Sequence, residues 1–196
     1  MAIYLYSGSP GSGKTLHAAT EILTQCRRGL PTLVNFDVKP EVLCGKGKVY
    51  VFDNVPSPGI CVDFSRWYFQ DKRIKEGQIL LILDECGLLF NSRNWKHNLE
   101  WIRFFSQHRK FGYDIIMIAQ SDVMIDKQIR PLIEYNCVHR NITRSPGLSR
   151  YWLPLVMGRF RCVSFWYQVP KMKPESYPVH YSREAFDLYD TFQSWD

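Results

Sequence analysis

The chain has 196 residues, of which 45% are apolar, and a formal net charge of +6 at pH 7. This length and composition predict one folded α/β domain with a sizeable core and a small appendage, and they exclude a largely disordered chain. No apolar stretch approaches about 20 residues, and no charged region precedes an apolar one at the N-terminus. We therefore expect neither a membrane-spanning helix nor a signal peptide in this sequence.

Apolar periodicity predicts alternating strands and helices along the first 142 residues. In chain order these are strand 2–6, helix 14–28, strand 31–36, strand 48–52, a short buried helix around Phe64, Trp67 and Tyr68, strand 78–83, amphipathic helix 95–108, strand 115–119, helix 123–132 and strand 135–142. The run 78–83 is apolar almost throughout, which is typical of a central parallel strand that is buried on both faces.

The sequence changes character after Ser145. We expect a core over 1–145 and a C-terminal extension over 146–196 that packs on the core. The elements predicted in the extension are an antiparallel strand over 159–169, an extended connection containing prolines 170, 174 and 178, and a helix over 182–195 with Ser182 as its N-cap.

Residues 8–15 fit the phosphate-binding pattern G-x-x-x-x-G-K-[ST] between a predicted strand and a predicted helix. The candidate nucleotide-binding residues are Gly8, Ser9, Pro10, Gly11, Ser12, Gly13, Lys14 and Thr15. Glycines let the backbone fold around phosphates, so that N–H groups and the positive end of the helix dipole point at them. Lys14 can then reach the β- and γ-phosphates, and the Thr15 hydroxyl can ligate Mg²⁺. The pattern predicts binding of a nucleoside triphosphate without distinguishing ATP from GTP.

Asp84 and Glu85 follow the buried strand 78–83, at the end where ligands bind in open α/β sheets. Asp84 is expected to hold Mg²⁺, and Glu85 to polarise the water that attacks the γ-phosphate. Simple nucleotide kinases and small GTPases usually lack this acid pair. The pair therefore favours an α/β P-loop NTPase of the additional-strand ATPase type, with a mostly parallel sheet flanked by helices. Gln120 ends the next buried strand and is a candidate γ-phosphate sensor, with an ordinary polar strand end as the alternative.

Other polar and aromatic residues leave alternatives open. An arginine from a neighbouring subunit would complete the charge stabilisation of phosphoryl transfer. The candidates are Arg93, Arg103, Arg109, Arg130 and Arg140. Trp95 and Trp101 are expected in a core or an interface, and His108 as a polar residue at a helix end.

The cysteines are scattered along the chain. They are Cys26, Cys44, Cys61, Cys86, Cys137 and Cys162. Since no C-x-x-C pair and no histidine cluster accompanies them, structural zinc is not expected, and unpaired thiols beside a triphosphate site indicate a reducing cytosol.

Several segments resemble the zonular occludens toxin (Zot) family, which includes the assembly and export ATPases of filamentous phages. The segments are 83–87, 90–95, 109–116, Gln120 and 126–128. The resemblance covers about residues 2–140, with the motifs in the expected order, and fades after Ser145.

The resemblance implies a motor domain at the cytoplasmic face of an inner membrane, which drives assembly and extrusion of a single-stranded DNA phage. It implies ATP and Mg²⁺ as cofactors, a homo-oligomer, phage assembly proteins as partners and contact with single-stranded DNA. Nucleotide binding would rest on Gly8, Gly13, Lys14 and Thr15, and hydrolysis on 84–85. Family members continue into a membrane-spanning segment and an outer part, so we expect this chain to be the motor domain of a longer protein.

Two other functions fit part of the pattern. A switch or adaptor module would bind nucleotide and turn it over poorly, but such a module needs neither Glu85 nor Gln120. A small-molecule kinase would need an arginine-rich lid, and no clear lid is visible in the sequence.

Overall fold

A computed structural model describes residues 2–43, 45–91, 95–144, 159–169, 172–180 and 182–189. The strands are β1 (Ile3–Ser7), β2 (Thr32–Val34), β3 (Val49–Val51), β4 (Ile79–Leu83), β5 (Tyr113–Ile118), β6 (Tyr135–Asn141), β7 (Phe160–Trp166) and β8 (Glu175–Val179). The α-helices are α1 (Lys14–Arg27), α2 (Pro58–Phe69), α3 (Cys86–Leu89), α4 (Trp95–Gln107) and α5 (Arg183–Asp187).

The described strands form one eight-stranded sheet in the order β3-β2-β4-β5-β1-β6-β7-β8. The strands from β3 to β6 pair in parallel, whereas β7 and β8 are added in antiparallel orientation beyond β6. This confirms the predicted mostly parallel sheet, in which β5 is inserted between β1 and β4. The carboxyl ends of β1, β4 and β5 therefore lie side by side at one edge of the sheet.

Helices cover both faces of the sheet, because the central strands are apolar on both sides. In β4, Leu81 packs into a core that includes side chains of α2 and α4, whereas Ile82 packs into a second core with side chains of α1. Successive side chains of a strand point to opposite faces, so an unbroken apolar run is what a strand between two helical layers requires.

The predicted helix over 123–132 is wrong. Two short 3₁₀ turns occupy the segment, at Asp122–Met124 and Arg130–Leu132. Pro131 lacks the N–H that an α-helix over 123–132 would need to hydrogen-bond four residues back, and it is tolerated in the first turn of a short 3₁₀ segment instead. Asp126 also competes for the backbone, because its Oδ1 accepts the Gln128 N–H at 2.9 Å.

Three other elements differ from their predictions. The helix α2 is longer than predicted, and Trp67, expected to be buried, is 55% exposed. Pro178 lies within β8, an edge strand in which a missing N–H is tolerated. Ser182 caps α5 as predicted, since its Oγ accepts the Ala185 N–H at 3.0 Å. Within the described residues α5 ends at Asp187, and 190–195 of the predicted helix lie outside them.

The two strands of the C-terminal extension pair with the sheet of the preceding residues. β7 pairs with β6 along its whole length, from Tyr135 opposite Trp166 to Asn141 opposite Phe160. Among the described residues, no helix has the length and apolar character needed to cross a bilayer.

Candidate active site

The loop between β1 and α1 folds as the glycine pattern predicts. Gly8, Gly11 and Gly13 have φ angles of 143°, 71° and 95°, in the region that side chains with a Cβ disfavour. A Cβ on Gly8 would lie 2.5 Å from the His139 carbonyl oxygen, and one on Gly13 would lie 2.8 Å from the Phe160 ring. Both glycines are therefore required by backbone conformation and by close packing.

Polar groups of this phosphate loop (residues 8–15) converge where an anion would be held. The Lys14 ammonium donates to the carbonyl oxygens of Gly8 at 2.8 Å and Ser9 at 3.2 Å. Ser12 is buried, and its hydroxyl has no hydrogen-bond partner among the residues that the structure describes. This arrangement costs free energy unless a ligand supplies a partner. Lys14 and Thr15 form the first turn of α1, whose N–H groups favour negative charge. The loop therefore fits a phosphate group.

Asp84 and Glu85 lie at the carboxyl end of β4, and Asn35 holds their backbone in place. Asn35, just after β2, accepts the Asp84 N–H at 2.7 Å and donates to the Asp84 carbonyl oxygen at 3.3 Å. The Glu85 N–H donates to Asp84 Oδ1 at 2.7 Å. Sequence reasoning missed Asn35, although a buried amide at the end of an apolar strand was a usable signal.

Glu85 adopts a left-handed backbone conformation, with φ 54° and ψ 34°, at the N-cap of α3. A residue with a Cβ pays on the order of 1 kcal/mol for this conformation. The carbonyl of Glu85 accepts the Leu88 N–H at 2.9 Å, so the short helix holds the residue in this geometry. Backbone strain of this kind concentrates at functional sites, where it fixes a side chain in one direction.

Burial raises the pKa of Asp84 to about 6, and repulsion from Glu85 adds to the shift. The hydrogen bond from the Glu85 N–H and attraction to Lys14 act the other way. Burial lowers the pKa of Lys14, against attraction to the two carboxylates. The loop lysine and the strand-end acids therefore act on one another electrostatically. Oxygen donors from Thr15 and Asp84 are the kind that Mg²⁺ prefers, so the donor set fits the predicted ion.

Replacing Asp84 by Asn is expected to stabilise the protein at pH 8 by about 2–3 kcal/mol. The aspartate carboxyl has an ordinary pKa of 3.8 and a folded value of about 6. The folded state binds more protons between these values, so stability falls as the pH rises through them and the full penalty persists above pH 6. Urea unfolding of both proteins at pH 4 and pH 8 measures the difference.

The exposed Asp71→Asn variant serves as the control for loss of one negative charge. An Asp84→Asn effect of equal size at both pH values would show that ionisation of Asp84 is not its cause.

The backbone of Gln120 lies beside the phosphate loop. Its carbonyl oxygen accepts the Gly8 N–H at 3.2 Å, and its side chain is exposed. The contact exists because β5, which Gln120 follows, pairs directly with β1. Glu85 and Gln120 thus stand at neighbouring strand ends.

The last residue of β6 and a residue just after the strand also support the loop, and sequence reasoning missed them. Asn141 Nδ2 donates to the Gly11 carbonyl at 3.2 Å, and Arg144 Nη1 donates to the Pro10 carbonyl at 2.7 Å. A cleft of about 320 Å³ continues from the loop to the C-terminal extension. Its walls include Thr15, Arg144, Arg159, Phe160, Phe186 and Tyr189.

Of the arginines proposed from sequence, the four that the structure describes do not line this cleft. Arg109 pairs with Glu134 at 2.6 Å, Arg130 donates to the Ile125 carbonyl at 2.8 Å, and Arg103 and Arg140 are exposed. Arg93 and the side chain of Trp95 lie outside the described part of the chain. Trp101 is fully buried in the core, and His108 Nδ1 bonds the Phe105 carbonyl at 2.6 Å, as expected for a core residue and a helix-end residue.

The Zonular occludens toxin (Zot) family profile matches residues 2–191. The chain belongs to the Zot family. The match extends beyond Ser145, where the resemblance seen in the sequence fades, and so includes most of the C-terminal extension.

Curated relatives of this Zot-family chain come from phages. Gene 1 protein of Enterobacteria phage f1 is 33% identical over 164 residues, covering 80% of this chain and 45% of that protein. Gene 1 protein of Salmonella phage IKe is also 33% identical, covering 98% of this chain and 57% of that protein. The chain thus spans about half the length of the curated relatives it matches.

Solved structures share the fold. The N-terminal domain of zonular occludens toxin from Neisseria meningitidis has a TM-score of 0.56 at 16% identity, covering 96% of this chain and 98% of that one. Genome packaging NTPase B204 from Sulfolobus turreted icosahedral virus 2, solved with ATP-gammaS, has a TM-score of 0.59 at 12% identity, covering 91% and 98%. EssC ATPases 2 and 3 from Geobacillus thermodenitrificans have a TM-score of 0.54 at 12% identity, covering 95% and 42%. These likenesses confirm the P-loop NTPase fold.

Proposed function

We propose that this chain is the ATP-binding and ATP-hydrolysing motor domain of a Zot-like protein that assembles and extrudes filamentous phage. The observation that carries the proposal is the convergence of Lys14, Asp84 and Glu85 at one edge of the sheet, where burial and mutual charge shift the pKa values of Lys14 and Asp84. Ionisable side chains with strongly shifted pKa values are concentrated at active sites.

The triphosphate would bind in the phosphate loop, with its β- and γ-phosphates against Lys14 and the N–H groups of residues 8–15. The Ser12 hydroxyl, which has no partner in the described part of the chain, would donate to a phosphate oxygen. The nucleoside would extend into the cleft beside Phe160 and Phe186, where apolar walls suit a base.

Thr15 and Asp84 would hold Mg²⁺, which neutralises charge that develops on the phosphates. The Glu85 carboxylate would orient a water molecule and accept its proton as the water oxygen attacks the γ-phosphorus, while the bond from that phosphorus to the β,γ-bridging oxygen breaks and ADP leaves. The strained backbone of Glu85 and the Asn35 clamp would keep that carboxylate in place. Gln120, at the end of the neighbouring strand, would report the presence of the γ-phosphate.

We further propose that the domain works as a homo-oligomer at the cytoplasmic face of the inner membrane, attached through a segment outside this sequence. The family membership and the phage Gene 1 relatives support this role. The moving load would be single-stranded DNA or a phage assembly protein. B204, which shares the fold, is a genome packaging NTPase, and this supports a nucleic acid as the load. An arginine from a neighbouring subunit would then complete the site.

The test is steady-state ATP hydrolysis over a series of protein concentrations, with and without single-stranded DNA. Turnover per subunit is expected to rise with protein concentration if neighbouring subunits share the site, and to vanish in Glu85→Gln. ATP binding with a flat rate near zero at every concentration would favour the nucleotide-switch alternative over the motor.

A further inference from the structure

Two histidines and a cysteine meet in the buried layer behind the phosphate loop, outside the site described above. His17 belongs to α1, His139 to β6 and Cys162 to β7, and all three are buried. The two imidazole nitrogens His17 Nδ1 and His139 Nε2 are 2.8 Å apart. Including Cys162 Sγ, the ligand atoms lie within 4.8 Å of one another.

We propose that His17, His139 and Cys162 form a binding site for a divalent cation of the zinc class. Imidazole nitrogen and thiolate sulfur are the ligands that zinc takes in proteins, at about 2.0–2.1 Å and 2.3 Å. In a tetrahedral site those bond lengths put two nitrogens about 3.3 Å apart and a nitrogen and a sulfur about 3.6 Å apart. The side chains therefore reach metal geometry with small shifts.

In each imidazole ring, the nitrogen that does not contact the other ring has a partner that orients the side chain. His139 Nδ1 is 2.9 Å from the Cys137 carbonyl oxygen, which accepts its N–H, so His139 Nε2 accepts the 2.8 Å hydrogen bond from the His17 Nδ1–H. His17 Nε2 is 3.5 Å from the Tyr6 hydroxyl and 3.8 Å from a Glu21 carboxylate oxygen. Metal-bound histidines usually donate their other N–H to such a carbonyl or carboxylate, which fixes the tautomer. A cation would displace the proton that the two nitrogens share, after which both would point an electron pair at the same position.

The cysteine also meets the requirements of a ligand. Cys162 is a free thiol, and its Sγ is 3.4 Å from the Tyr177 hydroxyl. On β7 it lies directly opposite His139 of β6, so the strand pairing brings the thiol and that imidazole together. The metal-binding form of cysteine is the thiolate. Cys137, two residues before His139 on the same face of β6, is not among the ligand atoms that lie within 4.8 Å of one another, so a fourth ligand would be a water molecule or a shifted Cys137.

The position of the cluster gives the cation a mechanical role. The His17 N–H donates to the Gly13 carbonyl oxygen at 3.0 Å, and a Cβ on Gly8 would meet the His139 carbonyl. A metal bonded to both histidines would therefore tie the first turns of α1 to β6 and β7 at the back of the phosphate loop.

The test uses the full chain without a histidine tag, expressed in zinc-containing medium. Elemental analysis is expected to find about one zinc per chain. Exchange for Co²⁺ should give the visible bands of a tetrahedral ion and a thiolate-to-cobalt charge-transfer band. Chelation of the metal should lower the melting temperature, and added zinc should restore it. Less than about a tenth of an equivalent of zinc, together with no cobalt band, would overturn the proposal.

Variants separate this site from others in the chain. Cys162→Ser is expected to lose the thiolate band and to weaken zinc binding at least about 100-fold, with circular dichroism as the check on folding. Cys61→Ser removes a buried thiol on the opposite face of the sheet and should keep the band. If Cys162→Ser does not fold, His17→Gln provides the same comparison. A band that persists unchanged in the folded ligand variant would contradict the assignment.

The Lys14→Ala variant separates the test of zinc binding from the test of the proposed ATPase activity. It should keep the cobalt band and the zinc content while it loses ATP affinity. Loss of the band in Lys14→Ala would place the bound cation at the phosphate loop and overturn the His17–His139–Cys162 site.

Discussion

Replacing Glu85 by Gln is expected to lower the rate of ATP hydrolysis by about 10²- to 10⁴-fold, the contribution of a positioned general base. Gln keeps the size of the side chain and removes the carboxylate that would accept the proton from water. ATP affinity should stay within a few-fold of the wild-type value, because Glu85 is not expected to contact the phosphates. Fluorescent-nucleotide binding and phosphate release measure the two quantities on the same samples.

Glu100→Gln is the matched control, since Glu100 is exposed on α4. It should hydrolyse ATP at the wild-type rate. If Glu85→Gln turns over ATP as fast as this control does, Glu85 is not the base and the role assigned to the strand-end acid pair is wrong.

Replacing Lys14 by Ala is expected to raise the dissociation constant for ATP by about 10- to 100-fold, as loss of hydrogen bonds to charged groups predicts. The ammonium group now donates to the Gly8 and Ser9 carbonyl oxygens, which places it inside the loop that would hold the phosphates. Calorimetric titration with a non-hydrolysable ATP analogue measures the change. The fold should persist, because Ala favours the helix that begins here.

The control for Lys14 is Lys110→Ala. Lys110 is exposed just before β5, at the sheet edge opposite the phosphate loop, so its loss should leave ATP affinity unchanged. Equal affinities of Lys14→Ala and Lys110→Ala for the analogue would refute the assignment of residues 8–15 to phosphate binding.

Most of the sheet and the two motifs of the site were predictable from sequence, because each depends on a short run of residues. The apolar run before Asp84 predicts a strand buried on both faces, and the glycine spacing before Lys14 predicts the loop. The helix over 123–132 was predicted wrongly, because apolar periodicity in this segment is overruled by Pro131 and by the Asp126 side chain. Trp67 was also predicted wrongly, as a buried residue. A helical pattern of apolar residues does not show how much of the helix surface is buried, and Trp67 is exposed.

The role of the residues that support the site could not be predicted, because their hydrogen-bond partners are far away in the chain. Asn35 holds the backbone of Asp84, 49 positions later, and Arg144 holds the loop at Pro10, 134 positions earlier. These contacts depend on strand order and on the path after β6. Neither the strand order nor the path after β6 produces a periodic pattern in the sequence, so neither could be predicted from it.

The sequence by itself determined the phosphate loop, the strand-end acids and the alternation of apolar runs that makes an α/β sheet. Each of these follows from backbone stereochemistry and hydrophobic periodicity within a few residues. The tertiary structure alone decided which polar groups meet. His17, His139 and Cys162 have no metal-binding spacing, so the sequence argued against zinc, yet the pairing of β6 with β7 and the packing of α1 bring them together. A cation binds where ligand atoms lie at suitable distances from one another. Folding sets those distances through contacts between residues that are remote in the chain.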